Sequence, residues 1–117
     1  MIRIKRAYSA PSTRDGIRIL VDRVWPRGIS KERIRIVQWR KDLAPSQSLR
    51  KWFGHEPAKW GEFRKRYRKE LAGSGMIVEL KKLARLSRRR MVTLVYSAAD
   101  EKHNQAVVLK ELLEELN

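Results

Sequence analysis

Residues 17–28 read Ile-Arg-Ile-Leu-Val-Asp-Arg-Val-Trp-Pro-Arg-Gly, and this stretch decides the fold and indicates where a site lies. Its first five residues are mostly branched and apolar, which is typical of a strand covered on both faces of a parallel sheet. Pro26 removes a backbone donor and disfavours a helix at Trp25, so the chain must leave the strand as an irregular turn. In open α/β sheets, ligands bind at this end of a strand.

A second apolar stretch, residues 91–95, lies near the other end of the chain. The excursion between the two stretches is long enough for the crossover that parallel pairing requires. If the two strands are parallel, residues 22–27 and 96–104 leave the sheet at the same edge. We therefore expect these two segments to face each other across one hollow.

The remaining segments predict one further strand and about five helices. Ile2 and Ile4 alternate with basic residues, which is the period of a half-exposed strand. Helices are indicated at five places, near Ser30, Ser46, Pro57, Met76 and Asp100. Residues 34–43 fit a strand or a helix, and their state stays open. We predict a single α/β domain over residues 1–117, with a short, mostly parallel sheet flanked by about five helices.

The composition limits the classes of protein to consider. The chain has 117 residues, no cysteine and two histidines, so a disulfide, a thiolate nucleophile and a zinc site are not expected. No apolar run approaches the roughly 18 residues of a membrane span, and the N-terminus lacks the apolar segment of a signal peptide. We expect a cytoplasmic protein without contact to a membrane, a metal or a cofactor.

The charge is strongly basic. The chain carries 28 Lys and Arg against 13 Asp and Glu, a net charge of +15, while residues 91–117 are net acidic. Such an excess attracts polyanions, so the expected partner is a phosphorylated small molecule or nucleic acid. The alternative is a heat-adapted surface with many ion pairs, but that leaves the unbalanced cations unexplained.

Basic and aromatic residues near the two strand ends are the candidate ligand contacts. An arginine offers a planar fork that matches phosphate or carboxylate oxygens, and a tryptophan can stack on a base. In the alternative interpretation, Asp22 pairs with one of the arginines and Trp25 packs in the core. The residues expected to contact an anionic ligand are Arg23, Trp25, Arg27, Arg50, Tyr96 and Asn104.

Asp100 follows the second apolar strand. Its simplest role is to cap the last helix. It is also the one sensible general base if a reaction takes place, and whether the protein is an enzyme stays open. The chain contains no Gly-x-x-x-x-Gly-Lys, Gly-x-Gly-x-x-Gly or Gly-x-Ser-x-Gly pattern, so the usual phosphate loops and the hydrolase elbow are not supported.

Basic helix faces form the basis of an alternative hypothesis, a nucleic-acid-binding protein. Their members are Arg64, Lys65, Arg68, Lys69, Arg88, Arg89 and Arg90. A run of charges on a helix is more often a solvated face. Aromatic residues between positions 52 and 67 stand at helical spacing, which favours a core over a base-stacking platform. A third hypothesis is a non-catalytic partner-binding subunit with a large apolar patch; the oligomeric state stays open.

Several segments together resemble a known family. They are residues 22–28, Trp39 with 43–46, 49–55, 63–71 and 92–100 with Asn104. In this order, and over nearly the whole chain, they are similar to the short members of the uncharacterised domain-of-unknown-function family 488. Ser97 stands where alanine is common in related sequences. The resemblance implies a small intracellular α/β domain with polar loops after an early and a late strand, and it implies no activity.

Overall fold

The computed structural model describes all 117 residues and contains one four-stranded, fully parallel sheet. In spatial order the strands are β1 (Ile2–Arg6), β4 (Val92–Tyr96), β2 (Ile17–Leu20) and β3 (Gln38–Trp39). The two apolar strands are direct neighbours, since Ile19 lies opposite Leu94 in register. The predicted parallel sheet is confirmed.

Five α-helices flank this sheet. They are α1 (Lys31–Ile34), α2 (Gln47–Phe53), α3 (Trp60–Gly73), α4 (Ile77–Ser87) and α5 (Gln105–Glu115). Short 3₁₀ turns cover Thr13–Asp15, Lys41–Leu43 and Pro57–Lys59. The predicted α/β class is confirmed. Residues 34–43, which the sequence leaves open, form the end of α1, the two-residue strand β3 and a 3₁₀ turn.

Helix starts follow the sequence in two cases and depart from it in a third. Ser30 caps α1 and Ser46 caps α2, each accepting a hydrogen bond from a backbone N–H three residues on. The N-cap of α5 is Asn104, whose side chain accepts from the N–H groups of its first turn. The interpretation of Asp100 as that cap is wrong, because α5 begins one helical turn later.

The sheet carries a large core on one face and a small one on the other. Helices α2 to α5 contribute to a cluster of 19 buried residues on the first face. On the second face, four buried residues pack with Trp25 and Trp39. Phe53, Phe63 and Tyr67 lie in the large core, so the expectation that the aromatic series forms core is confirmed for these three. The Tyr67 hydroxyl donates to the Leu43 carbonyl.

A buried ionic cluster ties the start of β2 to its neighbours. Asp15 is fully buried and accepts from Arg18 Nη1 at 2.7 Å, from Lys5 Nζ at 3.1 Å and from the Ser12 N–H at 2.9 Å. Arg3 Nη1 lies 3.4 Å from the same carboxylate. Burial alone raises the pKa of Asp15, but the hydrogen bonds from Ser12, Lys5 and Arg18 outweigh burial and bring the pKa below its ordinary value.

Candidate functional site

The carboxyl ends of β2 and β4 open into one cleft of about 530 Å³, called here the arginine-lined cleft. The loop after β2 lines it with residues 22–27, and the loop after β4 with residues 97–100. The rest of the wall is formed by Tyr8, Pro45, Arg50, His55 and Gln105. The expectation that the two loops face one hollow is confirmed, and the binding of a ligand there stays a prediction.

Three arginines line this cleft, and none of them forms an ion pair with a carboxylate. Arg23 donates from Nε to the Pro45 carbonyl at 3.0 Å and from Nη2 to the Ala44 carbonyl at 3.4 Å. These contacts orient the guanidinium without neutralising it. Arg27 and Arg50 are exposed. The alternative in which Asp22 pairs with Arg23 or Arg27 does not occur.

Asp22 ties the two loops together from the floor of the cleft. Its side chain is buried, and its carboxylate accepts from the Ser97 N–H at 3.0 Å, from the Ser97 hydroxyl and from Gln105 Nε2. Burial raises the pKa of Asp22, although the hydrogen bonds from Ser97 and Gln105 and the charge of Arg50 act in the opposite direction. Sequence reasoning missed Asp22 as a site residue, and its signal was its position directly after the strand.

Replacing Asp22 with asparagine is expected to raise the free energy of unfolding at neutral pH by about 0.5–2 kcal/mol. The folded pKa of Asp22 lies above the unfolded value, so ionisation above the folded pKa costs stability, and protonation on lowering the pH recovers it. An asparagine at position 22 can still accept from the Ser97 N–H through its side-chain oxygen. Its side-chain NH₂ can donate to the Gln105 side-chain carbonyl oxygen once the Gln105 amide group has rotated by half a turn. Urea unfolding of both proteins from about pH 4 to about pH 8 measures this difference. A variant markedly less stable than the wild type at neutral pH contradicts the prediction.

Asp100 and His103 form a hydrogen-bonded pair at the edge of the site. Asp100 Oδ2 lies 2.8 Å from His103 Nδ1, and Oδ1 accepts from the N–H groups of Lys102 and His103. The hydrogen bond from His103 holds the pKa of Asp100 below its ordinary value. A lowered pKa makes a carboxylate a weaker general base at neutral pH, so the geometry offers little support for that role.

The three predicted ligand contacts that are not arginines are each engaged within the protein. Tyr96 is 1% exposed and lines no part of the arginine-lined cleft, because it lies on the face of β4 that meets the large core. Asn104 uses its amide to cap α5 and to reach the loop before it. Trp25 lines the cleft, but it also donates from Nε1 to the Ile29 carbonyl at 2.7 Å and packs edge-on against Trp39. The other three, all arginines, line the cleft.

A second cleft of about 280 Å³ adjoins the first, and sequence reasoning missed it. It lies between α2 and the start of α5, and is called here the aromatic cleft. The side chains common to both clefts are those of Pro45, Arg50, His55, Ala98 and Gln105. The aromatic cleft adds Gln47, Lys51, Phe53, Phe63, His103 and Asn104. The polar and aromatic run at residues 49–55 was the signal in the sequence.

The basic helix faces are only partly free. Arg64 lies 2.5 Å from Glu111, and Arg68 pairs with Glu111 at 3.1 Å and with Glu115 at 2.9 Å. Helix α5 thus neutralises two of the cations on α3. The other members of the predicted faces are exposed and form no ion pair: Lys65, Lys69, Arg88, Arg89 and Arg90.

The structure contains neither a candidate metal site nor a helix that could span a membrane. No group of three or more histidine, aspartate or glutamate side chains is placed to hold a metal ion. None of the helices combines the length and apolar character needed to cross a membrane. The donors and acceptors that line the arginine-lined cleft are mainly guanidinium, carboxylate and amide groups.

Together, the fold and the cleft define a small parallel α/β domain with an arginine-lined cleft at the carboxyl edge of its sheet. The family model described as the inactive DUF488-N3 subclade matches residues 1–117, and the chain belongs to this family. The chain is similar to the uncharacterised protein YeaO of Escherichia coli K12, at 42% identity over 115 residues and 98% of each chain. It is equally similar to the uncharacterised protein Rv3073c of Mycobacterium tuberculosis H37Rv, at 42% identity over 112 residues, 96% of this chain and 92% of the relative. No solved structure gives a significant match.

Proposed function

We propose that the protein is a non-catalytic binding domain that holds a phosphorylated ligand in the arginine-lined cleft. The observation that carries this proposal is the presence of Arg23, Arg27 and Arg50 in one cleft, each without a carboxylate partner. A guanidinium fork matches the spacing of phosphate oxygens and binds them through charge-assisted hydrogen bonds. The net charge of +15 adds a long-range attraction for anions.

Preorganisation of the arginine loop supports the same proposal. Arg23 is already fixed by two carbonyl groups, which leaves its Nη1 without a partner within the chain. The turn that carries Arg27 is held by buried Pro26, by Gly28 at a φ of 78°, and by the Tyr8 hydroxyl, which donates to the Arg27 carbonyl at 2.9 Å. A site with an ordered backbone loses less entropy when a ligand binds.

Two observations favour binding over catalysis. The family is described as inactive. Within the arginine-lined cleft, the carboxylate of Asp22 is engaged by Ser97 and Gln105, and that of Asp100 by His103. Both carboxylates already accept hydrogen bonds within the protein, so each would have to share its oxygens with a bound ligand.

Removing the exposed arginines of the cleft is expected to weaken anion binding. With inorganic pyrophosphate as the probe, Arg27→Ala and Arg50→Ala should each lower the affinity about 10-fold to 100-fold, since each removes hydrogen bonds to a charged group. Isothermal titration calorimetry at fixed ionic strength measures this. Arg89→Ala, which removes an equal charge outside the cleft, is the matched control. An affinity that survives Arg27→Ala, or falls equally in the control, counts against the proposal.

Nucleic-acid binding is the second candidate, favoured by the exposed and unpaired Arg88, Arg89 and Arg90 and by the net charge. In this case the affinity for duplex DNA should fall steeply with salt, because each neutralised phosphate releases counterions. It should also fall in the Arg89→Ala variant and be indifferent to Arg27→Ala. This pattern is the reverse of the one expected for a ligand in the cleft, so the same two variants distinguish the candidates.

A further inference from the structure

We infer that the ligand is a nucleotide, with its phosphate in the arginine-lined cleft and its base in the aromatic cleft. This inference rests on the proposed function. The two clefts adjoin, since Arg50, His55 and Gln105 line both of them. A molecule that fills both must carry an anionic group at one end and a different group at the other.

The lining of the aromatic cleft suits a flat heterocycle. Phe53 and Phe63 stack on each other in the core and form the apolar floor of the cleft, while the accessible rings are those of His55 and His103. The His103 ring is held by Asp100 and by an edge contact with Trp60. Aromatic side chains stack on bases of any sequence, because every base has a π-face. Gln47 is exposed at the same cleft and offers both a donor and an acceptor to the edge of a base.

His55 stands where the two clefts meet, in an unusual backbone conformation. Its φ of 58° lies in the left-handed region, which residues other than glycine rarely adopt. Such conformations persist where the surrounding structure holds them in place, and they cluster at ligand sites. Here the conformation places an imidazole beside both compartments.

The carboxylate of Asp100 also favours a nucleotide over a bare phosphate. Asp100 lines the same cleft as the arginines, its side chain is partly exposed, and it repels an isolated anion. A sugar between phosphate and base carries hydroxyl groups, which donate to carboxylates, as in dinucleotide-binding folds. The volumes of about 530 and 280 Å³ together fall within the range of roughly 300–1,000 Å³ that small-molecule sites occupy.

The test compares three probes with the same anionic group: inorganic phosphate, ribose 5-phosphate and adenosine 5′-monophosphate. By calorimetry, the nucleotide should bind the full chain about 10-fold or more tightly than ribose 5-phosphate, because of the stacked base. His55→Gly should remove most of that ratio. Since glycine adopts a positive φ freely, the variant should unfold at a higher urea concentration than the wild type, which shows that lost discrimination is not lost folding. Arg27→Ala should weaken both sugar phosphates and preserve their ratio.

Each other outcome overturns a defined part of the inference. If ribose 5-phosphate binds through Arg27 and the nucleotide binds no more tightly, the protein has no site for the base. The inference of a nucleotide then fails, while the proposed function of binding a phosphorylated ligand is retained. If the nucleotide is preferred but His55→Gly leaves the ratio intact, the base does not lie in the aromatic cleft. If none of the probes binds, the inference and the proposed function fail together.

Discussion

Replacing Asp15 with asparagine is expected to lower the free energy of unfolding by about 3–5 kcal/mol, the effect of removing one partner of a buried ion pair. Asp15 is the carboxylate shared by Arg18, Lys5 and Arg3. Arg18 is itself buried, and its Nη2 already lacks a hydrogen-bond partner. Without the Asp15 carboxylate, the guanidinium of Arg18 is left as a buried charge with no counter-ion.

The same cluster predicts a loss of stability in acid. The folded pKa of Asp15 lies below its unfolded value, so the unfolded chain binds more protons at low pH. The stabilisation from Asp15 is therefore complete above the unfolded pKa, near 3.9, and is lost as the pH falls through the folded pKa. Asp15→Asn should remove this part of the pH dependence.

Asp42 provides the matched control for Asp15. It pairs with Arg40 at 2.8 Å, but its side chain is exposed, so Asp42→Asn should cost about 1 kcal/mol or less. Urea unfolding of the two variants and the wild type at neutral pH compares the free energies directly. If the two substitutions lowered the free energy of unfolding equally, burial would not be the reason why the Asp15 cluster stabilises the protein.

Replacing Gly16 with alanine is expected to lower the free energy of unfolding by about 2–5 kcal/mol, from backbone strain and overpacking together. Gly16 has a φ of 62° and a ψ of −125°, a conformation that is essentially limited to glycine. A Cβ there would lie 2.3 Å from the Met91 carbonyl oxygen. That oxygen accepts the N–H of Ile17 at 2.9 Å, so relief of the clash breaks a contact that aligns β2 with β4.

Gly61→Ala is the control for Gly16, and its expected effect has the opposite sign. Gly61 lies in the first turn of α3, and nothing stands within 4 Å of an added Cβ. Alanine is favoured over glycine in a helix by about 0.5–1 kcal/mol, so thermal unfolding should occur at a higher temperature. Destabilisation of similar size in both variants would refute the assignment of strain to Gly16.

The positions of the main strands and of the cleft could be predicted from local sequence. Runs of apolar residues at 17–21 and 91–95 specify buried strands, and the length between them permits a parallel crossover. Parallel neighbours end at one edge, so the meeting of the two polar loops followed from geometry alone. Ser30 and Ser46 could be assigned as caps because a serine preceded each helical pattern.

The predictions that were wrong concern positions where the local sequence supports two structures equally, or where contacts with distant elements determine the structure. Asp100 and Asn104 are both good caps one turn apart; in the structure Asn104 caps the helix, while the Asp100 side chain bonds to His103. Tyr96 belongs to β4 rather than to the loop after it, and the pleat turns it into the core. The pairing of Arg64 with Glu111 depends on how α3 and α5 pack, which helical periodicity does not specify.

The strand order β1-β4-β2-β3 leaves β1 and β3 as the two rims of the sheet. β3 offers only two residues to an incoming strand, and Arg3, Lys5 and Arg6 place cations along β1. Short or lysine- and arginine-bearing rims discourage the addition of further strands from other molecules. Copies of a chain with a net charge of +15 also repel one another, so both edge strands are protected against pairing with other molecules into fibrils.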